Sequence, residues 1–419
     1  MLALWAVLLI GPGLSLSWAA PPEGSEGRVS ESNTGERHTV ESLTAESLTR
    51  RQVQPVQLEN NSDRDDDDDD PAFRAVFYPQ IGYTPELGWL FGAAALIVYD
   101  PVGPPPESPV PPAGPGETGG VEARARPDNT LLLSAFYTTT TAYRFGVESN
   151  QYLLRDRLLL ENDFTFTEVP TDFFGIGSDA EDAEQYVERR LSGELGALFQ
   201  FLPRFRVGPR FRATRHWVED PDEGGLLDSG TVSGSDGATV LLPMVEFRYD
   251  SRPTTFDPRS GAAFSLRLGH TLPDSAERYG SVAAEYVQIT PFFGDHRIAT
   301  QYVFEHVLDT APFQELPRLG GPSLLRGLTE GRYRDRTLVA AQAEYRSPYL
   351  WRFGLEVFGG VGQVASEIDG LDGQDLVAAG GAGLRFQLDP GSGFVLRLNV
   401  AYSEPEGAPQ FYVGAGDAF

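Results

Sequence analysis

From residue 73 to the end, the chain repeats one pattern: segments of about ten residues in which apolar side chains alternate with polar or small ones, separated by turn residues. A period of two is the spacing of a β-strand with two different faces. In 394–402, Phe394, Leu396, Leu398, Val400 and Tyr402 share one face, and Arg397 and Asn399 lie on the other. In 239–250, Leu241, Val245, Phe247 and Tyr249 alternate with Glu246, Arg248 and Asp250. Phe264, Leu266 and Leu268 oppose Ser265 and Arg267, and the small and aromatic residues of 339–346 oppose Gln342, Glu344 and Arg346. No apolar run after Pro71 is long enough for a membrane helix. Each strand thus offers one face to lipid and one to water.

The pattern predicts sixteen strands, at 73–83, 87–99, 129–139, 142–152, 156–167, 186–200, 204–216, 238–250, 261–271, 281–293, 296–308, 337–347, 353–364, 377–388, 393–402 and 409–418. Long connections at 168–185, 217–237, 309–336 and 365–376 alternate with short ones at 153–155, 201–203, 294–295, 348–352 and 389–392. That alternation is the habit of outer-membrane barrels, with long external loops and short periplasmic turns. It makes 309–336 the sixth external loop, hereafter loop six. The Pro- and Gly-rich stretch 100–128 reads as a flexible insertion on the periplasmic side. A soluble β-sandwich could show the same alternation. Against it stand the strand count, charged residues in mid-strand, and aromatics gathered at strand ends, such as Trp89, Tyr137, Tyr143, Tyr249, Tyr345 and Trp351. The fold expected is all-β, a transmembrane antiparallel barrel of about sixteen strands. Phe411, Val413 and the aromatic Phe419 suit a carboxy-terminal outer-membrane sorting signal.

The amino-terminal part differs. Leu2 to Ile10 is a short apolar run followed by Gly11, Pro12 and Gly13, and Ser17-Trp18-Ala19 supplies small residues where a signal peptidase requires them. We therefore expect a signal peptide over 1–19. Residues 20–72 are rich in Glu, Ser, Thr, Gln and Asn and run into Asp65 to Asp70, the composition of a disordered acidic periplasmic tail. The aspartates lack the interspersed ligands and turn glycine of a calcium loop. With 60 acids against 33 basic residues, all of the latter arginine, the net charge is −27, and nucleic-acid binding through a basic face is excluded. The tail alone holds fourteen acids and five arginines, or −9. The absence of cysteine removes disulfides, thiol catalysis, thiolate metal sites and an amino-terminal lipid anchor.

Several motifs then fall in order along the predicted barrel. Tyr249-Asp250-Ser251-Arg252, followed by Phe256-Asp257-Pro258 and Gly261, occupies a strand-turn-strand. In loop six, Leu319-Gly320-Gly321 leads to Leu325-Arg326-Gly327-Leu328 and Gly331-Arg332-Tyr333-Arg334-Asp335. Ala343-Glu344-Tyr345-Arg346-Ser347-Pro348 follows on the next strand, and Phe173-Phe174-Gly175-Ile176-Gly177 precedes them all. Residues 73–419 carrying this series resemble the BamA/TamA superfamily, whose barrel is also called the bacterial surface antigen domain. The resemblance implies that Arg326 of the loop motif Arg326-Gly327-Leu328 is held in the lumen by Glu344. The family's second partner, an aspartate, falls at Gly360 here, and an aromatic of the loop motif is replaced by Leu328. Glu356 has inward parity and can compensate. Independently of any family, an arginine cannot sit on the lipid face, so Arg326 needs water or a luminal carboxylate. In the turn, Tyr249 anchors at the interface, Asp250 and Arg252 cross-link, and Pro258 with Gly261 fixes the reversal. That role is structural.

The five histidines are scattered, and no Gly-x-Ser-x-Gly, His-Glu-x-x-His or phosphate loop is present. No catalytic residue, cofactor or metal site is expected. The resemblance implies an integral protein of the outer membrane of a Gram-negative bacterium, inserting proteins into that membrane or moving them across it. Its partners would be outer-membrane lipid, unfolded outer-membrane or secreted proteins, a periplasmic partner, and the barrel assembly machinery for its own insertion. Because 20–72 is too short and polar to fold as a POTRA domain, it implies a barrel-only member. A passive channel or surface-exposed structural barrel is the alternative reading. An outer-membrane hydrolase using His216 or His306 is a third.

Overall fold

A computed structural model describes residues 73–84, 88–99, 129–179, 183–253, 257–389, 394–415 and 417–419. The expected signal peptide, acidic tail and 100–128 insertion lie outside the described residues. The strands are β1 (Phe73–Thr84), β2 (Gly88–Tyr99), β3 (Asn129–Thr138), β4 (Tyr143–Leu153), β5 (Leu158–Phe173), β6 (Glu184–Leu202), β7 (Phe205–Glu219), β8 (Ala238–Asp250) and β9 (Gly261–His270). They continue as β10 (Gly280–Phe293), β11 (His296–Leu308), β12 (Arg318–Leu319), β13 (Tyr333–Arg334), β14 (Thr337–Arg346), β15 (Phe353–Ala365), β16 (Val377–Asp389), β17 (Phe394–Ser403) and β18 (Gln410–Ala415). All but β12 and β13 form one 16-stranded sheet in chain order, each strand antiparallel to its neighbour. β12 and β13 pair with each other inside loop six.

Sixteen strands of alternating side chains therefore form as the pattern predicts, with three differences. β5 runs six residues further than 167, because Glu168 to Phe173 pair in register with Arg189 to Glu184. Pro170, Thr171 and Asp172 are turn formers by composition, but the partner strand and the burial of Phe173 override that preference. At 16, 19 and 15 residues, β5, β6 and β7 exceed the roughly 9–11 that a membrane requires, so they project at the long-loop end. β18 stops at Ala415, short of 418, and Phe419 lies beyond the strand. The β12/β13 ladder has too few residues to show as a period.

The sheet curls around an interior. Asp257, in the turn between β8 and β9, meets Arg385 on β16, five sheet positions beyond β9. Phe419, just beyond β18, packs on Val287 and Ile289 of β10 and Ala299 of β11. Strands far apart in the sheet thus face each other across one lumen, and the fold is a transmembrane antiparallel β-barrel. Outward faces carry Phe145, Phe164, Leu195, Val245, Phe247, Tyr302, Val357, Leu398 and Val400, all exposed. No helix among the described residues is long and apolar enough to cross a membrane. Aromatics collect at the short-turn end: Phe292 and Phe293 with His296 and Tyr345, and Trp351 with Phe353 and Phe386.

The inward faces divide in two. The inward, polar parity expected for Glu246, Glu344 and Arg346 holds, but all three are buried away from water, and toward the long-loop end a large part of the inward face is apolar. Val240, Leu242 and Met244 of β8 pack with Tyr279, Val307, Ala311 and Leu316. Leu338 and Ala340 of β14, with Val364 and Ala379, enclose Leu319, Leu325 and Leu328 of loop six. The loop is thus the packed core of that half, and its leucines lose water as in a soluble protein. Phe313 sits fully buried against Phe173, Tyr186 and Leu227, its ring edge-on to both aromatics. Replacing Phe313 with alanine should cost about 3–5 kcal/mol of loop anchoring. The expected outcome is protease cleavage within loop six at lower urea concentration than in wild type, with an unchanged β-sheet circular dichroism spectrum.

Candidate functional site

The backbone brings the Arg326-Gly327-Leu328 tip of loop six deep into the lumen, beside Glu344, residue eight of the ten in β14. Leu325 takes φ +55°, and Gly327 takes φ +104° where it meets the wall. A Cβ at Gly327 would stand 2.8 Å from the Tyr402 nitrogen, so this position requires glycine on both counts. The Gly327 amide donates to the Tyr412 hydroxyl at 2.9 Å, and its carbonyl accepts from the Ser403 hydroxyl at 2.6 Å. Leu328 is completely buried in the leucine cluster described above.

Arg326 is 2% exposed and donates directly to Glu344 through Nη2. Its Nη1 lies 3.4 Å from Glu356, and its guanidinium carbon lies 3.5 Å from the centre of the Phe358 ring. A cation over an aromatic face in a dry site contributes about 2 kcal/mol. Phe358 is two residues along β15 from Glu356, so one strand supplies both the carboxylate and the ring. Gly360, two residues further, could not simply become the family's aspartate, since a Cβ there would meet the Gln342 Cβ at 2.6 Å and the Ala341 carbonyl oxygen at 2.8 Å.

Around this pair the barrel wall adds arginines that the motif did not indicate. Arg346 donates to Glu344 at 2.7 Å and to Asp417 at 3.0 Å. Arg385 bridges Asp417 at 2.8 Å and Asp257 at 2.7 Å, and Arg297 reaches Asp257 at 2.7 Å. Asn399 donates to Glu356. The inward parity of Arg346 and Arg397 was legible as alternation, and Arg385 stands beside Arg397 in the ladder. Asp257 was not legible, because it lies in a turn without a period, and Asp417 fell inside the predicted strand 409–418 on the parity of Phe411 and Val413, whereas β18 ends at Ala415. The turn motif is partly a separate assembly. Asp250 accepts from the Arg252 amide and guanidinium, each at 2.9 Å, Tyr249 packs on Phe205 at 4.7 Å, and Gly261 takes φ +111° with Arg252 close behind it. Pro258 joins the luminal group through its carbonyl, which accepts from Arg297 at 3.2 Å.

The sorting-signal residues separate. Phe411 and Val413 stand in β18 opposite Val400 and Leu398, whose side chains face outward. Phe419 instead turns into the lumen, 5% exposed, beneath the Arg346 guanidinium. Of the histidines, His216 bonds to Glu188 and Glu315, and His306 to Thr337.

Loop six has further anchors. Arg334 lies over the rings of Phe173 and Phe313, Arg332 over Phe174, and the Gly177 amide donates to the Arg334 carbonyl at 2.8 Å. The Phe173–Gly177 motif is therefore a clamp on loop six. Glu315 accepts from Arg212, His216 and the Tyr279 hydroxyl. Burial pushes its carboxyl up, but Arg212, His216 and Tyr279 outweigh burial and hold it at about 2. A second arginine centre, Arg210, is shared by Glu161, Glu194 and Glu246 on the opposite wall. Between the two walls lies a cavity of about 640 Å³, lined by Arg210, Arg248, Arg267, Glu285, Glu305 and Glu315 among others.

A sixteen-stranded barrel with an external loop drawn inside and pinned through an arginine defines an outer-membrane protein of the Gram-negative kind. Residues 114–419 match the Omp85 superfamily domain, and the chain belongs to that superfamily. Among solved structures, it is similar to BamA from Haemophilus ducreyi lacking POTRA domains 1–3, with TM-score 0.55, 15% identity, and coverage of 82% of this chain and 70% of that one. It is also similar to CdiB from Escherichia coli (TM-score 0.53, 14% identity, 88% and 68% covered) and CdiB from Acinetobacter baumannii (0.50, 10%, 82% and 58%). No curated protein sequence matches the chain.

Two predictions follow from this geometry. Glu344→Gln leaves Arg326 and Arg346 short of a buried counter-charge, a loss of about 3–5 kcal/mol, and Glu356→Gln costs less because its contact with Arg326 is longer. Urea-dependent loop cleavage should rank Glu344→Gln well below Glu356→Gln, and equal midpoints would refute the ranking. Because the Glu315 carboxyl is held below its ordinary 4.5, its contribution is complete above that value and is lost as pH falls toward about 2. Protection of loop six should therefore fall between about pH 5 and 2, and Glu315→Gln should flatten that part of the profile at a lower starting level.

Proposed function

We propose that this Omp85 barrel serves outer-membrane protein assembly or translocation, with loop six as the internal element that must shift when a client passes. The observation carrying this reading is the tip of loop six, held in the lumen by Arg326 and Glu344 while its leucines fill the long-loop half. A second feature supports it. β18 has six residues against twelve in β1, so pairing between them could engage at most half of β1, which suits a weak lateral seam. On this reading residues 1–19 are a signal peptide, 20–72 an acidic periplasmic tail, and 73–419 the barrel, with Phe411, Val413 and Phe419 read by the machinery that inserts it. Clients are unfolded outer-membrane or secreted polypeptides, presented by a periplasmic partner. No chemistry is assigned to the chain, and the partners of His216 and His306 give both a structural role.

The charged cavity beside loop six favours a second reading, a passive channel for small solutes. Depletion of the protein separates the two. An assembly role lowers the amounts of other outer-membrane or secreted proteins while planar-bilayer conductance of the purified barrel stays small. Unchanged levels together with steady open conductance would overturn it.

A further inference from the structure

We propose that Asp257, in the turn at the far end of the barrel from the root of loop six, is a positioning residue for that loop and acts on Arg326 through a line of alternating buried charges. The line runs from Arg297 to Asp257 (2.7 Å), to Arg385 (2.7 Å), to Asp417 (2.8 Å), to Arg346 (3.0 Å), to Glu344 (2.7 Å), and from Glu344 to Arg326. Every side chain in it is between 0 and 7% exposed. Water therefore cannot substitute for a missing partner.

The coupling arises because the carboxylates are shared. Arg385 spends Nη2 on Asp257 and Asp417, while its Nη1 stands 3.6 Å from Glu344 and 3.7 Å from Glu356, just outside bonding distance. These two glutamates are the ones that hold Arg326. Neutralising Asp257 leaves Arg385 with one counter-charge fewer, and the nearest others are Glu344 and Glu356. Arg385 then draws on them, and Arg326 loses part of both. The sign is defined: losing the carboxylate at 257 loosens loop six. Losing Arg297 has the opposite effect, since it leaves Asp257 to Arg385 alone and draws that arginine away from Glu344. The same turn also carries an exposed ion pair, Arg259 with Asp295 at 3.1 Å, which touches none of these groups.

The inference concerns how the loop is held and is independent of which reading above is correct. The chain has no cysteine, so a single Ser323→Cys substitution reports on the loop, three residues before Arg326, with no background. Its rate of labelling by a hydrophilic maleimide is measured on the purified full-length barrel in detergent. Asp257→Asn should raise that rate by about tenfold, in the range of coupling energies found along packed networks. Arg259→Ala should leave it unchanged, and Arg326→Met should raise it and remove any further effect of Asp257→Asn. Wild-type labelling in a folded Asp257→Asn protein, or equal acceleration by Arg259→Ala, would overturn the proposal. Heat-modifiable gel mobility shows whether each variant folds. If Asp257→Asn does not, the test passes to Arg297→Met: slower labelling supports the line, and unchanged or faster labelling refutes it.

Discussion

A guanidinium cannot be left alone in a dry interior, and it does not escape by giving up its proton. This constraint organises the lumen. Arg326, Arg346 and Arg385 are all essentially without exposure, and the wall provides Glu344 and Glu356 for them. Two more carboxylates arrive from outside the sheet, Asp257 from a turn and Asp417 from the segment after β18. Three irregular pieces of chain are consequently drawn inside: the tip of loop six, the turn before β9, and the stretch ending at Phe419. Each enters the lumen as one member of a charge pattern whose other members stand on β11, β14, β15 and β16.

The same lumen also contains a core of an ordinary kind. Toward the long loops, leucines of loop six meet leucine, alanine and valine of β14, β15 and β16, and Phe313 closes an aromatic cluster with the projecting ends of β5 and β6. The barrel thus has apolar contact on both faces of parts of its wall, lipid outside and loop inside. Directional charge pairs fix where the loop tip sits, and non-directional burial holds the body of the loop in place. The cavity remains on the β4 to β11 side, where acids and arginines stand on the wall around it.

Much of this could be read from the residues. Alternation located all sixteen strands, and most ends agree within two residues, because the period is a property of each segment alone. It also put Glu344 and Glu356 on the inward face, where Arg326 meets them. Alternation could not tell what lies against a face. Val240, Leu242, Met244, Leu338 and Ala340 point inward and are apolar because loop six covers them, a fact set by residues up to about eighty positions away. The extension of β5 through Pro170 and the short β12/β13 ladder depend on partners in the same way. Asp257 stood within a recognised motif but gained no role, since its partners Arg297 and Arg385 are 40 and 128 residues distant.

Those separations bear on how the barrel comes to exist. Arg346 finds Asp417 across 71 residues and Arg385 finds Asp257 across 128, so these luminal pairs close only when distant parts of the chain meet. While the later hairpins are still to arrive, Asp257 lacks Arg385 and Arg346 lacks Asp417, and only solvent can stand in for the missing partners. Non-local pairings of this kind are slow to form. The interior must therefore remain wet through most of assembly, and expulsion of its water is a late event, coincident with the docking of β16 to β18.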